Sequence, residues 1–158
     1  MSEFCEALVY VAVLAVLSAV LGPLIPRSWF SPRRFPFRPF RWEREGKIYE
    51  KLGIRRWKDR VPDVSRVSKR LFRKKLPRSS TSVQARRLVE ETCVAEAVHG
   101  FLLLASLWVI HRWRKLGGFL FWLVYNLLGN VPFILIQRYN RPRILQLEEK
   151  LRAKELAA

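Results

Sequence analysis

Two carboxylates, a hydroxyl and an imidazole recur along one short stretch, at Glu91, Thr92, Glu96 and His99. With Ala95 between them, the spacings of one, three, one and three set them along one side of a helix, because residues three and four apart lie one above another. A carboxylate one turn from an imidazole suits proton transfer, in which the carboxylate orients the ring and steadies its charged form while the ring takes a proton. The stripe lies where an apolar run begins, and ionisable groups at such a place are functional or must be paired. A structural role fits the same residues, with Glu96 and His99 bonded across i,i+3 and Glu91 meeting interfacial arginines. Residue types alone leave both readings open.

A second polar set, Asn126, Asn130 and Gln137, lines one side of the last apolar run at i, i+4 and i+11. Beside it, Gly129 permits close backbone approach and Pro132 frees a carbonyl. This side either faces the Glu and His stripe or makes ordinary amide bonds between helices. Other frames for chemistry are missing: the chain has no Gly-x-Ser-x-Gly elbow, no P-loop and no Cys-x-x-Cys. Neither His99 nor His111 has the Asp that a glycerolipid-type acyltransferase carries shortly after its His. Glu96-x-x-His99 is half of a di-iron bundle motif without its second copy, so no metal or cofactor is expected. Cys5 and Cys93 are read as free thiols.

The elements that position these groups are membrane helices. Half of the residues are hydrophobic while the net charge is +17, so the apolar matter is concentrated in spans or the charge serves an anionic partner. From Ala7 to Ile25 run nineteen residues without a charge, about the length that crosses a bilayer core. Glu3 and Glu6 stand where a signal peptide would be positive, which favours a retained anchor. From Val94 to Ile136 two apolar arms flank Arg112, Arg114 and Lys115, the pattern of a helical hairpin. Of the 30 Lys and Arg, 21 lie between Arg27 and Glu91, which places that segment in the cytoplasm with the tail, and the N-terminus and hairpin turn outside.

The reading is an all-α integral membrane protein with three transmembrane helices and amphipathic cytoplasmic helices on the interface. It divides into an anchor at 1–25, a basic interfacial segment at 26–80, a long helix with the hairpin at 81–137, and an amphipathic tail at 138–158. In the basic segment, arginines and aromatics interleave with Pro26, Pro32, Pro36 and Pro39, which forbid a helix and suit headgroups. Lipid phosphates explain this better than nucleic acid does, given the adjoining span. A short helix is expected over Trp42–Leu52, stopped by Gly53, and a surface helix over Val64–Phe72 after the connector Ile54–Asp63. A linker, KKLPRSS, follows. Thr81 with Gln84 is a capping box for a helix that runs unbroken to the hairpin turn. In the tail, Asn140 reads as the N-cap of a separate helix with Pro142 in its first turn and Ile144, Leu147 and Leu151 on one face.

Glu91-Thr92-x-x-Ala95-Glu96-x-x-His99, then Asn130-Val131-Pro132, then Gln137 to Arg143 resemble the glycosyl-4,4'-diaponeurosporenoate acyltransferase family of staphyloxanthin synthesis. Glu43, Gly46, Lys47 and the pair Trp57 and Lys58 extend the resemblance, with Asp59, Pro62 and Asp63 matching less closely. The resemblance implies esterification of a fatty acyl chain onto the sugar of a membrane-embedded glycosyl carotenoid, and the same scaffold suits another glycolipid. The basic cap is expected to hold an anionic donor, acyl-CoA or acyl carrier protein, or anionic headgroups. With the spacing of the stripe, the mechanism expected is one in which Glu91, Glu96 and His99 are the catalytic candidates, His99 the general base, Glu96 holding its tautomer, and Asn130 or Arg138 stabilising the oxyanion. Thr92, Asn130, Gln137, Arg138, Tyr139, Asn140, Arg141, Arg143, Trp57 and Lys58 are the candidates for holding substrate. The competing class is a non-enzymatic assembly factor or lipid-binding subunit.

Overall fold

The computed structural model describes residues 2–61 and 81–157. The expected surface helix over Val64–Phe72, the linker after it, Pro62 and Asp63 lie outside the described residues. Among these residues there is no strand, and three helical stretches are long and apolar enough to cross a membrane: Glu3–Leu24, Ser82–Arg112 and Leu116–Leu156.

The first apolar run folds as α1 (Glu3–Leu21), capped by the Ser2 hydroxyl, which accepts from the Cys5 N–H. Most of its apolar side chains, including Leu8, Val9, Val13, Val16 and Val20, point outward, as a lipid-facing helix requires. Ala7 and Val11 instead pack on Val109, with Tyr10, Trp113, Phe121 and Tyr125 around them. Glu3 lies 3.5 Å from Lys115 and Glu6 3.8 Å from Arg112, so the start of α1 and the hairpin turn share one end of the molecule.

A short turn, α2 (Ile54–Trp57), falls in the connector, and α3 (Ser82–Ala105) opens on the expected capping box of Thr81 and Gln84. α3 does not run unbroken to the turn. Ser106 interrupts it by donating its hydroxyl to the Leu103 carbonyl at 2.8 Å, a back-bond that bends helices, and α4 (Leu107–Arg112) resumes beyond. The Ala105 carbonyl beside the break accepts from the Tyr10 hydroxyl at 3.0 Å. The hairpin turns where the basic residues place it. Gly117 and Gly118 let Trp113 fold over the start of α5 (Leu116–Tyr125): a Cβ at either would come within 2.4 or 2.1 Å of Trp113.

α5 passes through a π turn, Asn126–Asn130, into α6 (Val131–Leu156). The Val131 N–H reaches back to the Asn126 carbonyl, and Pro132, which has no N–H to offer, sits in the first turn beyond. α6 then continues through Pro142, which corrects the expectation of a fresh helix capped by Asn140. An internal proline costs about 3 kcal/mol, and here the arginines on both sides of it are anchored, which keeps the helix in line. α6 runs antiparallel to α3, and its far end meets the first turn of α3, where Glu155 accepts from the Ser82 N–H at 2.8 Å.

The basic loop folds without α-helix as far as Gly53, in short 3-10 turns. Trp42–Leu52 is likewise not one helix, because Arg44, Glu45 and Gly46 in succession take left-handed φ of 48°, 57° and 83°. That reversal folds Tyr49 back beneath Glu43. Gly53 ends the segment as expected, at φ 65°. Tyr49 and Ile54 then pack with Ile136 and Tyr139 of α6, against Ile48, Trp57, Val61 and Leu135.

Candidate active site

Polar side chains string along the seam between α3 and α6. At its deep end the Asn126 amide donates to Ser106 Oγ at 3.0 Å and to the Trp122 carbonyl at 2.9 Å. Asn130 Nδ2 donates to Asn126 Oδ1 at 2.9 Å, and Asn130 Oδ1 lies 3.1 Å from His99 Nδ1. Ser106, Asn126 and Asn130 are all buried, at 0, 3 and 2% exposure, so the chain of bonds replaces the water they lack. The His99 ring stacks on Phe133, centroids 4.4 Å apart and planes 6° apart. His99 is half-buried, and its Nε2 has no partner among the described residues.

The expected contact between Glu96 and His99 is not made. Glu96 turns to α6 instead, where it accepts from Arg138 Nη1 at 2.7 Å and from Arg141 Nη2. Full positive charges outcompete a neutral imidazole for a carboxylate, and they stand on the facing helix. The orienting bond to His99 therefore comes from Asn130.

Arg138 and Arg141 are in turn engaged by the loop. Arg138 grips Glu43 through Nε and Nη2, its remaining protons reach the Pro36 and Arg38 carbonyls, and the Phe40 ring covers it at 4.7 Å. Arg141, at 1% exposure, donates to Thr92 Oγ1 at 2.9 Å, to the Thr92 carbonyl and to the Phe37 carbonyl. Glu43 also accepts from the Tyr49 hydroxyl and from the Phe40 N–H. Burial pushes the Glu43 carboxyl up, but the hydrogen bonds from Arg138, Tyr49 and Phe40 outweigh it and hold the group below its ordinary value. Burial and the neighbouring carboxylate push the Tyr49 hydroxyl up. Two arginines against two glutamates make a neutral cluster that fastens loop, α3 and α6 together.

The other expected residues fall in three places. Glu91 is gripped by Arg27, at 2.8 and 3.1 Å, two turns from His99, and Arg27 also donates to the Gly22, Pro23 and Ile25 carbonyls just beyond α1. Tyr139 and Arg143 stack at 3.7 Å and join Glu50, while Trp57 donates to the Leu52 carbonyl and Lys58 pairs with Asp59 at the surface. Gln137 and Asn140 are half-buried, and no hydrogen bond reaches their side chains among the described residues. Gln137 follows Phe133 by one turn and so shares the face of α6 whose Phe133 stacks on the His99 ring. Sequence reasoning passed over Ser106 and left Asn126 open between the stripe and an ordinary contact between helices; the signal for Asn126 was its i,i+4 pairing with Asn130. It also passed over the cleft of about 450 Å³ formed by Arg38, Pro39, Phe40, Arg41 and Trp42. The Arg38 and Arg41 guanidiniums in it have no partner among the described residues.

A model of the glycosyl-4,4'-diaponeurosporenoate acyltransferase family matches residues 26–150. The chain belongs to this family. The match takes in the loop, the His99 seam and the arginine cluster. A Staphylococcus aureus (strain Newman) protein named glycosyl-4,4'-diaponeurosporenoate acyltransferase is 28% identical over 152 residues, 96% of this chain and 90% of its own length. One of the same name from strain bovine RF122 / ET3-1 is 28% identical over 145 residues, 91% of this chain and 86% of its own. No solved structure matches. Of the two classes weighed, enzyme and assembly factor or lipid-binding subunit, family membership selects the enzyme: the chain is a membrane acyltransferase.

Proposed function

We propose that this acyltransferase esterifies a fatty acyl chain onto a sugar hydroxyl of a membrane-embedded glycolipid, a glycosylated carotenoid being the acceptor that its relatives' name describes. The observation that carries this reading is His99, whose Nδ1 is held by Asn130 while Nε2 stays open at the end of a buried polar seam. His99 Nε2 takes the hydroxyl proton as the sugar oxygen attacks the carbonyl carbon of an acyl thioester. The C–S bond of the tetrahedral intermediate then breaks, and the proton passes to the departing thiolate. Asn130 and Arg138 are engaged by protein groups, so the oxyanion falls to the Gln137 amide.

The donor is acyl-CoA or acyl carrier protein, and its anionic part docks in the cleft beside Arg38 and Arg41, over the Trp42 ring. Both the donor and the 21 basic residues between Arg27 and Glu91 belong on the cytoplasmic side, with the N-terminus and hairpin turn outside. The other basic side chains there meet lipid headgroups.

The test compares lipid and pigment extracts by mass spectrometry from cells that make glycosylated carotenoid and express either the wild-type chain or His99→Gln at matched membrane levels. An acylated glycolipid present only with wild type is the expected result. Equal product from both removes His99 from the chemistry, and extracts unchanged by the wild-type chain remove the glycosylated carotenoid as acceptor.

A further inference from the structure

Oxygen and nitrogen of an amide have the same outline, so its direction must be read from a neighbour whose role is fixed. The Trp122 carbonyl is such a neighbour, because it can only accept. It lies 2.9 Å from one end of the Asn126 amide, which must therefore be the NH2 end. The same nitrogen meets Ser106 Oγ, whose own proton goes to the Leu103 carbonyl and whose oxygen is left to accept. Asn126 Oδ1 then faces Asn130, and an oxygen there requires a donor, so Asn130 presents Nδ2. Only Oδ1 of Asn130 remains for His99, and it can only accept. Every link is forced by the one before it. The imidazole carries its proton on Nδ1, and the lone pair stands on Nε2, the open side.

The π turn makes this possible. On a straight α-helix, Asn126 and Arg138 would sit about 120° apart, too far for both to face α3. One extra residue in the turn takes out about 100° and leaves them about 20° apart. Asn126 and Asn130 thus reach Ser106 and His99 while Arg138 and Arg141 reach Glu96 on the same helix face.

We propose that Asn126, oriented by the Trp122 carbonyl through the π turn, is a positioning residue that sets the tautomer of His99 by way of Asn130. This rests on the reading of His99 as the base. Amides that served only to join helices would be satisfied pointing either way; the carbonyl supplies a direction.

The test uses the full chain in micelles with 15N-labelled histidine and His111→Gln, so that His99 alone is observed by its ring nitrogen shifts. Wild type is expected to show a protonated Nδ1 and an unprotonated Nε2 at a pH where the ring is neutral. Asn126→Leu frees the Asn130 amide to turn over, and the spectrum becomes a mixture. kcat then falls by roughly two- to tenfold, in proportion to the lost Nδ1–H form, with KM unchanged. Asn126→Leu combined with Asn130→Asp restores the Nδ1–H form, because an ionised carboxylate can only accept. A wild-type spectrum with the proton on Nε2 overturns the proposal even if every variant fails to fold. So does an Asn126→Leu spectrum that does not change, or a double variant that stays mixed. An active His99→Gln enzyme would sink the base and leave the tautomer result standing; a proton on Nε2 with an inactive His99→Gln enzyme would do the reverse.

Discussion

Arg138 and Glu43, separated by 95 residues in the chain, form a two-pronged ion pair that fastens the basic loop to α6. The pair is nearly sealed from solvent, with side-chain exposures of 10 and 2%. Removing one member would leave the other buried and unpaired, a loss of about 3–5 kcal/mol.

The acid side of the stability profile follows from Glu43. A carboxyl held below its ordinary value of 4.5 in the folded chain adds stability above that value and loses it as the pH falls through the lower, folded one. The melting temperature in detergent should hold steady near neutrality and decline below about pH 4.5. Glu43→Gln should melt lower at neutral pH and lose part of that decline. An acid slope identical in the two proteins would show that Glu43 is not the group responsible.

Glu96 and His99 should separate cleanly in mutagenesis. His99→Gln should insert, purify and melt much like wild type while turnover falls by about two orders of magnitude or more, the usual share of a general base. Glu96→Gln leaves Arg138 and Arg141 short of a counter-charge and should lower the melting temperature instead. A Glu96→Gln protein as stable as wild type but inactive would return Glu96 to the chemistry.

How much was legible in the sequence depended on how local each signal was. The capping box of Thr81 and Gln84 and the basic hairpin turn are decided within a few residues, and both formed as expected. The partners of Glu96 and His99 were not legible, because i,i+3 spacing reports neighbours on one helix and says nothing of charges arriving from another. The π turn had no signature either: Asn126, Gly129, Asn130 and Pro132 announced a polar side, a close backbone approach and a freed carbonyl, but not the extra residue. Pro142 misled for the opposite reason, a strong local signal overridden by packing on both sides.

Gly46 and Gly53 make a controlled pair. Both have positive φ, at 83° and 65°, but a Cβ on Gly46 would meet the Tyr139 carbonyl at 3.0 Å and Arg143 Nη1 at 3.1 Å, whereas one on Gly53 meets nothing within 4 Å. Gly53→Ala should cost about 1–2 kcal/mol for the left-handed backbone alone. Gly46→Ala should cost more and loosen the loop from α6, which chemical denaturation would register. Equal losses would mean that the close approach to Tyr139 carries no energy.

Arg38 and Arg41 are tested by kinetics. Changing both to Gln should raise KM for a thioester donor with an anionic carrier, more at low salt than at high, and leave kcat and the melting temperature unchanged. An unaltered KM at low salt would empty the cleft of its proposed ligand.

Orientation can be read by labelling single cysteines in a Cys5→Ser, Cys93→Ala background. Ser2→Cys and Arg114→Cys should react with an impermeant maleimide in intact cells, and Lys58→Cys only after lysis. The reverse pattern would turn the molecule over.

The seam between α3 and α6 also constrains how the protein is made. α3 emerges from the ribosome carrying Glu91, Glu96 and His99, but the groups that neutralise or satisfy the last two, Asn130, Arg138 and Arg141, are synthesised only after the hairpin turn. Until then α3 is a poor candidate for partition into lipid on its own, since each unpaired polar group opposes it. Its entry must therefore await its partner, so that the two helices leave the translocation channel as a pair.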